Sequence, residues 1–110
     1  MKDENIEKNI PLTETAFLVL LAMLKPNHGY GVLQMVESIT KGRVSFGPGT
    51  LYGAINNLNK KGWIELVFED KENRRKEYVA TKTGKELVRL ELERMKELVE
   101  EGDKILEGEK

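Results

Sequence analysis

Between Thr50 and Lys76 the chain concentrates side chains suited to gripping a polyanion. Thr50, Tyr52, Gly53, Asn56, Asn57 and Lys60 fall mainly on one side of a helix whose other side carries Leu51, Ala54, Ile55 and Leu58. An asparagine amide donates and accepts at once, so it can pair bidentately with adenine when its helix lies in the major groove. Asn56, Asn57, Thr50 and Tyr52 are therefore candidates for contact with bases or phosphates. The plain alternative is a solvated helix face with one asparagine capping something local. Gly53 is costly inside a helix, by about 1 kcal/mol against alanine. Close approach of a sugar-phosphate backbone explains it, and a tight helix crossing explains it equally.

Arg74, Arg75 and Lys76 form a second cluster. Such cations anchor a protein on phosphates without selecting sequence, or reach into the minor groove. A strand edge kept soluble by charge is the competing explanation. The rest of the chain offers little for catalysis. There is one histidine, His28, and no cysteine. A nucleophile, a base and an orienting group are not within reach of one another in any pocket-forming region, so no enzyme is expected. No ligand set stands at metal spacing, and no cofactor is expected.

These side chains need a scaffold, and 110 residues suffice for one domain with one modest core. Apolar residues make up 39 % and charged residues 34 %, which suits a helix-rich soluble globule. No apolar run approaches the ~20 residues of a membrane span. The polar, acidic start is unlike a secretory signal, which points to the cytoplasm. Net charge is −1, but it is unevenly spread: residues 1–40 carry −2, residues 41–82 carry +4 and residues 83–110 carry −3. A basic middle between acidic flanks presents one attractive face to nucleic acid.

The pattern of elements is helix, helix, helix, hairpin, helix. Residues 1–11 form a flexible or helical extension, with Ile6 and Ile10 available as one apolar face. Thr13 is placed to cap a first helix whose residues 16–24 are apolar nearly all round, as a buried central helix requires. A second helix runs from Gly29 to about Thr40, with Val32, Met35, Val36 and Ile39 on one face. Residues 46–50 turn into the third helix, which Gly62 closes. Residues 63–69 and 74–80 read as strands around a polar turn at residues 70–73. Trp63, opening the first strand, reads as a core residue. The last helix opens near Thr81 and reaches about Leu106, some 35–40 Å. It is too long for so small a domain to cover. Val88, Leu92, Met95, Val99, Gly102 and Leu106 recur on it at spacings of 4, 3, 4, 3 and 4, the seam of a helix pair. Val88, Leu92, Met95, Val99 and Leu106 are accordingly candidates for a dimer interface. The alternative is a helix folded wholly onto its own domain. The fold class is mainly α with a small β-hairpin: a winged helix-turn-helix over residues 12–82 followed by a C-terminal dimerisation helix over residues 83–110.

Several stretches carry a family likeness. Gly49-Thr50-Leu51-Tyr52, then Leu58, then Gly62-Trp63-Ile64 resembles the PadR pattern of Gly-Thr-Leu-Tyr, a spaced leucine and a Gly-aliphatic-Ile ending. Arg74-Arg75-Lys76 with Tyr78, Thr81 and Gly84 is similar to that family's wing and last-helix opening, and His28-Gly29-Tyr30-Gly31 to its second-helix opening. The likeness spans roughly residues 12–106. Three positions depart from it: Gly53 stands where proline is usual, Trp63 where leucine is usual, and Glu77 where the residue is often aromatic. The resemblance implies a homodimeric transcription repressor on pseudo-palindromic double-stranded DNA, responsive to a small hydrophobic or aromatic effector. Leu92, Met95 and Val99, with Ile6 and Ile10, are the side chains available to line an effector cavity at the dimer centre. The rival expectation is a winged-helix protein-interaction module without DNA function.

Overall fold

The computed structural model describes residues 3–108. A 3-10 helix, Asp3–Asn9, precedes α1 (Glu14–Ala22), α2 (Gly29–Ile39) and α3 (Pro48–Lys60). The strands β1 (Ile64–Asp70) and β2 (Arg75–Ala80) pair antiparallel, and α4 (Lys82–Gly108) closes the chain. This is the winged helix-turn-helix with a long C-terminal helix that the sequence pattern implies.

α1 is the hub. Thr13 caps it, its Oγ1 accepting from the Ala16 N–H at 3.1 Å. Its Leu18, Val19, Leu20 and Ala22 are buried, with Met23 just beyond. α2 contributes Val32 and Val36, α3 contributes Leu51, Ile55 and Leu58, and α4 contributes Leu87 and Val88. Val88 therefore completes the protein's own core at 3 % exposure and is not a free interface residue, contrary to the seam spacing. The core needs the first turns of α4 for its last wall. Ile6 is also buried, so the N-terminal extension packs on the core, with the half-buried Ile10 beside it. α2 uses only half of its apolar face: Met35 and Ile39 are 42 % and 48 % exposed. No helix among the described residues is long and apolar enough to cross a membrane.

Two backbone devices set α3 and the wing. Pro48 opens α3, where its lost N–H costs nothing. At the other end Gly62 takes φ +77, its N–H bonds the Asn59 carbonyl, and the Trp63 N–H bonds that of Leu58. That reversal at a left-handed glycine delays β1 by one residue from its expected start. The ladder then runs from Ile64 opposite Ala80 to Asp70 opposite Arg75, with a bulge at Val67. Arg74, expected on the return strand, lies instead in the turn at φ +55. The wing is tied back to the helices by Asn27, whose N–H and carbonyl each bond Tyr78 at 2.9 Å. Its side-chain amide also bonds the Ala22 carbonyl and accepts from the His28 N–H. A Cβ at residue 31 would stand 2.1 Å from that amide oxygen, which accounts for Gly31.

Candidate nucleic-acid interface

α3 is held by its apolar stripe, so its remaining side chains point out of the molecule. Thr50, Tyr52, Gly53, Asn56, Asn57 and Lys60 are all exposed. Among the described residues, neither Asn56 nor Asn57 spends its side-chain amide on a hydrogen bond within the chain. The local-cap alternative for these asparagines therefore fails. A Cβ at Gly53 would meet nothing within 4 Å, so the tight-crossing explanation fails too.

The outward face is split in two. Tyr52 and Asn56 turn toward the wing, where they line a groove of about 600 Å³. Lys71, Arg74, Arg75 and Lys76 form its far wall, and His28 and Tyr30 close its end at the start of α2. Thr50, Gly53 and Asn57 face the other way, into a smaller cleft of about 320 Å³ beside Thr13 and Thr15 at the start of α1. The sequence pattern grouped these side chains on one face; their 100° steps around α3 separate them. Tyr52 is also less free than its type suggests. A Cβ on Gly29 would lie 2.5 Å from its hydroxyl, so the ring leans on the first residue of α2. His28, Tyr30, Thr13 and Thr15 had no functional reading in the sequence. The glycines on either side of Tyr30 were the available signal for close packing there.

The wing is less basic than its return strand. Glu69 lies opposite Lys76 in the ladder, and Asp70 opposite Arg75. Arg75 bonds Glu77 through Nε and Nη2, at 3.2 and 3.0 Å. Asp70 accepts from the Asn73 side chain and from the Asn73 and Glu72 N–H groups. Those bonds, the Asn73 side chain's above all, hold its carboxyl below the usual carboxylate range. Lys61 sits 4.7 Å from the centre of the Trp63 ring, and Arg43 pairs with Glu14 at 2.5 Å. Lys60, Lys71, Arg74 and Lys76 make no ion pair among the described residues. Trp63 is buried, as a core residue should be.

α4 leaves the domain beyond Met95. Leu92, Val99 and Leu106 are 43 %, 61 % and 66 % exposed, and Leu98 and Ile105 are equally open. Met95 is half-buried. Beyond the packing of Leu87 and Val88, the helix is tied to the rest by Glu91, whose side chain is 1 % exposed. Its Oε1 accepts from the Leu12 N–H at 2.8 Å, and Arg94 bonds both oxygens. The Arg94 guanidinium, followed by the Leu12 N–H, keeps the Glu91 carboxyl below its ordinary value despite its burial.

Against known proteins, the pattern of the transcriptional regulator PadR-like family matches residues 17–90. The chain belongs to the PadR-like family. The matched region runs from α1 through the first turns of α4, so it contains both faces of α3 and the wing. Among solved structures, this PadR-like chain is similar to a PadR family transcriptional regulator from Eggerthella lenta, with a TM-score of 0.69 at 22 % identity over 94 % of this chain and 87 % of that one. It is also similar to RosR of H. salinarum, with a TM-score of 0.69 at 25 % identity over 84 % of this chain and 79 % of that one. A 37.1 kDa protein of a Streptomyces fradiae transposon is 33 % identical over 86 residues. The chain spans about a quarter of the length of that curated relative.

Proposed function

We propose that this PadR-like protein is a cytoplasmic, homodimeric repressor that sets α3 into the major groove of a pseudo-palindromic operator. The observation that carries this reading is the uncommitted outer face of α3. Two asparagine amides without internal partners stand on either side of a glycine whose open flank admits a sugar-phosphate backbone. Asn56 and Tyr52 meet one strand in the groove toward the wing, and Asn57 and Thr50 meet the other near α1. Lys60, Arg74 and Lys76, joined by Arg75 when it leaves Glu77, supply phosphate contacts, which set position and not sequence.

The apolar flank of α4 supports the dimer. From residue 96 the helix continues for about 20 Å beyond the domain. It carries Leu98, Val99, Ile105 and Leu106 in open solvent, where a second copy would cover them. Leu92, Met95 and Val99 sit where the overhang leaves the domain. A small hydrophobic effector lodged there would change the angle between paired helices and the separation of the two α3 elements. Repression and effector release are part of the proposal and are supported by the family resemblance alone.

Duplex binding followed by fluorescence anisotropy over a salt series tests the reading. Affinity should fall steeply with salt, with a slope of about 0.9 per neutralised phosphate. Asn56→Ala should cost about 1–3 kcal/mol of discrimination between an operator and an unrelated duplex, with folding unchanged. Salt-insensitive or absent duplex binding would favour a protein-interaction module.

A further inference from the structure

Arg75 and Glu77 are two apart on β2, so their side chains stand on the same face of the hairpin. Arg75 gives two of its donors to one oxygen, Glu77 Oε2. Glu77 is the more sheltered partner, with its side chain 24 % exposed against 49 % for Arg75. A second carboxylate, Asp70, lies directly across the ladder from Arg75. Residues 69–77 as a whole hold four cations and four carboxylates, so the wing is neutral in sum.

We propose that Glu77 is a positioning residue that holds Arg75 away from nucleic acid and so limits how much of the wing's charge reaches phosphate. The inference rests on the DNA-binding reading above. To bond a phosphate, Arg75 must give up two charge-assisted hydrogen bonds, so the contact is an exchange of one anion for another. The released carboxylate then faces the same phosphate and repels it. Arg74 and Lys76 carry no such restraint. The wing therefore adds little indiscriminate affinity, and choice of site is left to α3.

The test is anisotropy with a labelled mixed-sequence duplex of about 30 base pairs, long enough for two half-sites. The full chain is titrated as wild type, Glu77→Gln, Arg75→Ala, the double variant and Glu72→Gln. Glu77→Gln should bind roughly threefold to tenfold more tightly at low salt and steepen the salt slope by about one. In the Arg75→Ala background the same change should gain less than about twofold, and so should Glu72→Gln, whose side chain holds no cation. An unchanged affinity for Glu77→Gln would overturn the proposal. So would an equal gain without Arg75, since the effect would then be loss of repulsion alone. If wild type and Glu77→Gln both fold but neither binds duplex, the DNA-binding reading falls and takes this inference with it.

Discussion

Gly53 lies in the interior of α3 with open space where a side chain would start, and glycine is a poor helix residue. Gly53→Ala should therefore stabilise the fold, by about 0.5–1 kcal/mol. If α3 approaches a sugar-phosphate backbone, the same methyl should weaken operator binding severalfold. Thermal melting and anisotropy on one variant separate the two effects; a gain in both stability and affinity would remove the close-approach explanation. The outward placement of Asn56 and Asn57 was legible in the sequence, because Leu51, Ile55 and Leu58 fix which side is inside. The division of that face between two clefts was not, because it depends on where α1 and the wing stand relative to α3. Tyr52 shows the same limit: its lean on Gly29 joins residues 23 positions apart with no local pattern between them. The pairing of Arg75 with Glu77 is legible in the sequence, since alternation on a strand puts them on one face.

At the scale of elements, Glu91 adds a polar anchor between α4 and the winged domain beside the packing of Leu87 and Val88. Its folded-state carboxyl titrates below the ordinary value of a free glutamate, so the stabilisation it gives is present above that ordinary value and is lost as pH falls through the lower, folded one. Glu91→Gln should flatten the acid limb of a stability profile on the acid side of the range in which a free glutamate titrates. Glu91→Ala should cost about 2 kcal/mol at neutral pH, leaving the Leu12 N–H without its acceptor. A variant with the wild-type acid limb would show that Glu91 contributes nothing to it. No sequence signal marks this contact: the partners are 79 residues apart, and a glutamate on a charged helix looks like any solvated one. Periodicity did better with the elements themselves. All four helices and both strands stand where it places them, and the errors are at ends governed by single residues such as Gly62 and Arg74. On α2 the period was right but burial was not, because α2 carries more apolar surface than its neighbours can cover, leaving Met35 and Ile39 open.

The whole molecule measures 61 Å along its longest axis and 20 Å along its shortest, elongated by the overhang of α4. An exposed apolar stripe on such an arm is costly unless a partner covers it. Leu92→Asp should convert a dimer to a folded monomer, read by sedimentation, because pairing would bury an unmatched charge. Val88→Ala should instead lower stability by about 2 kcal/mol without changing association, since that side chain is already spent on the core. Dimeric Leu92→Asp protein would contradict the assigned face. The heptad spacing located this helix face but could not tell where the domain's own core ends along it, and Val88 lies on the core side.

The central claim is that two copies of α3 read one duplex across a two-fold axis. Selection of bound duplexes from a random pool by the purified protein tests it most directly. The expected product is a two-fold symmetric sequence whose half-sites lie about 34 Å apart, or a multiple of that distance. A pool that stays random, or that converges on a single asymmetric half-site, would contradict it.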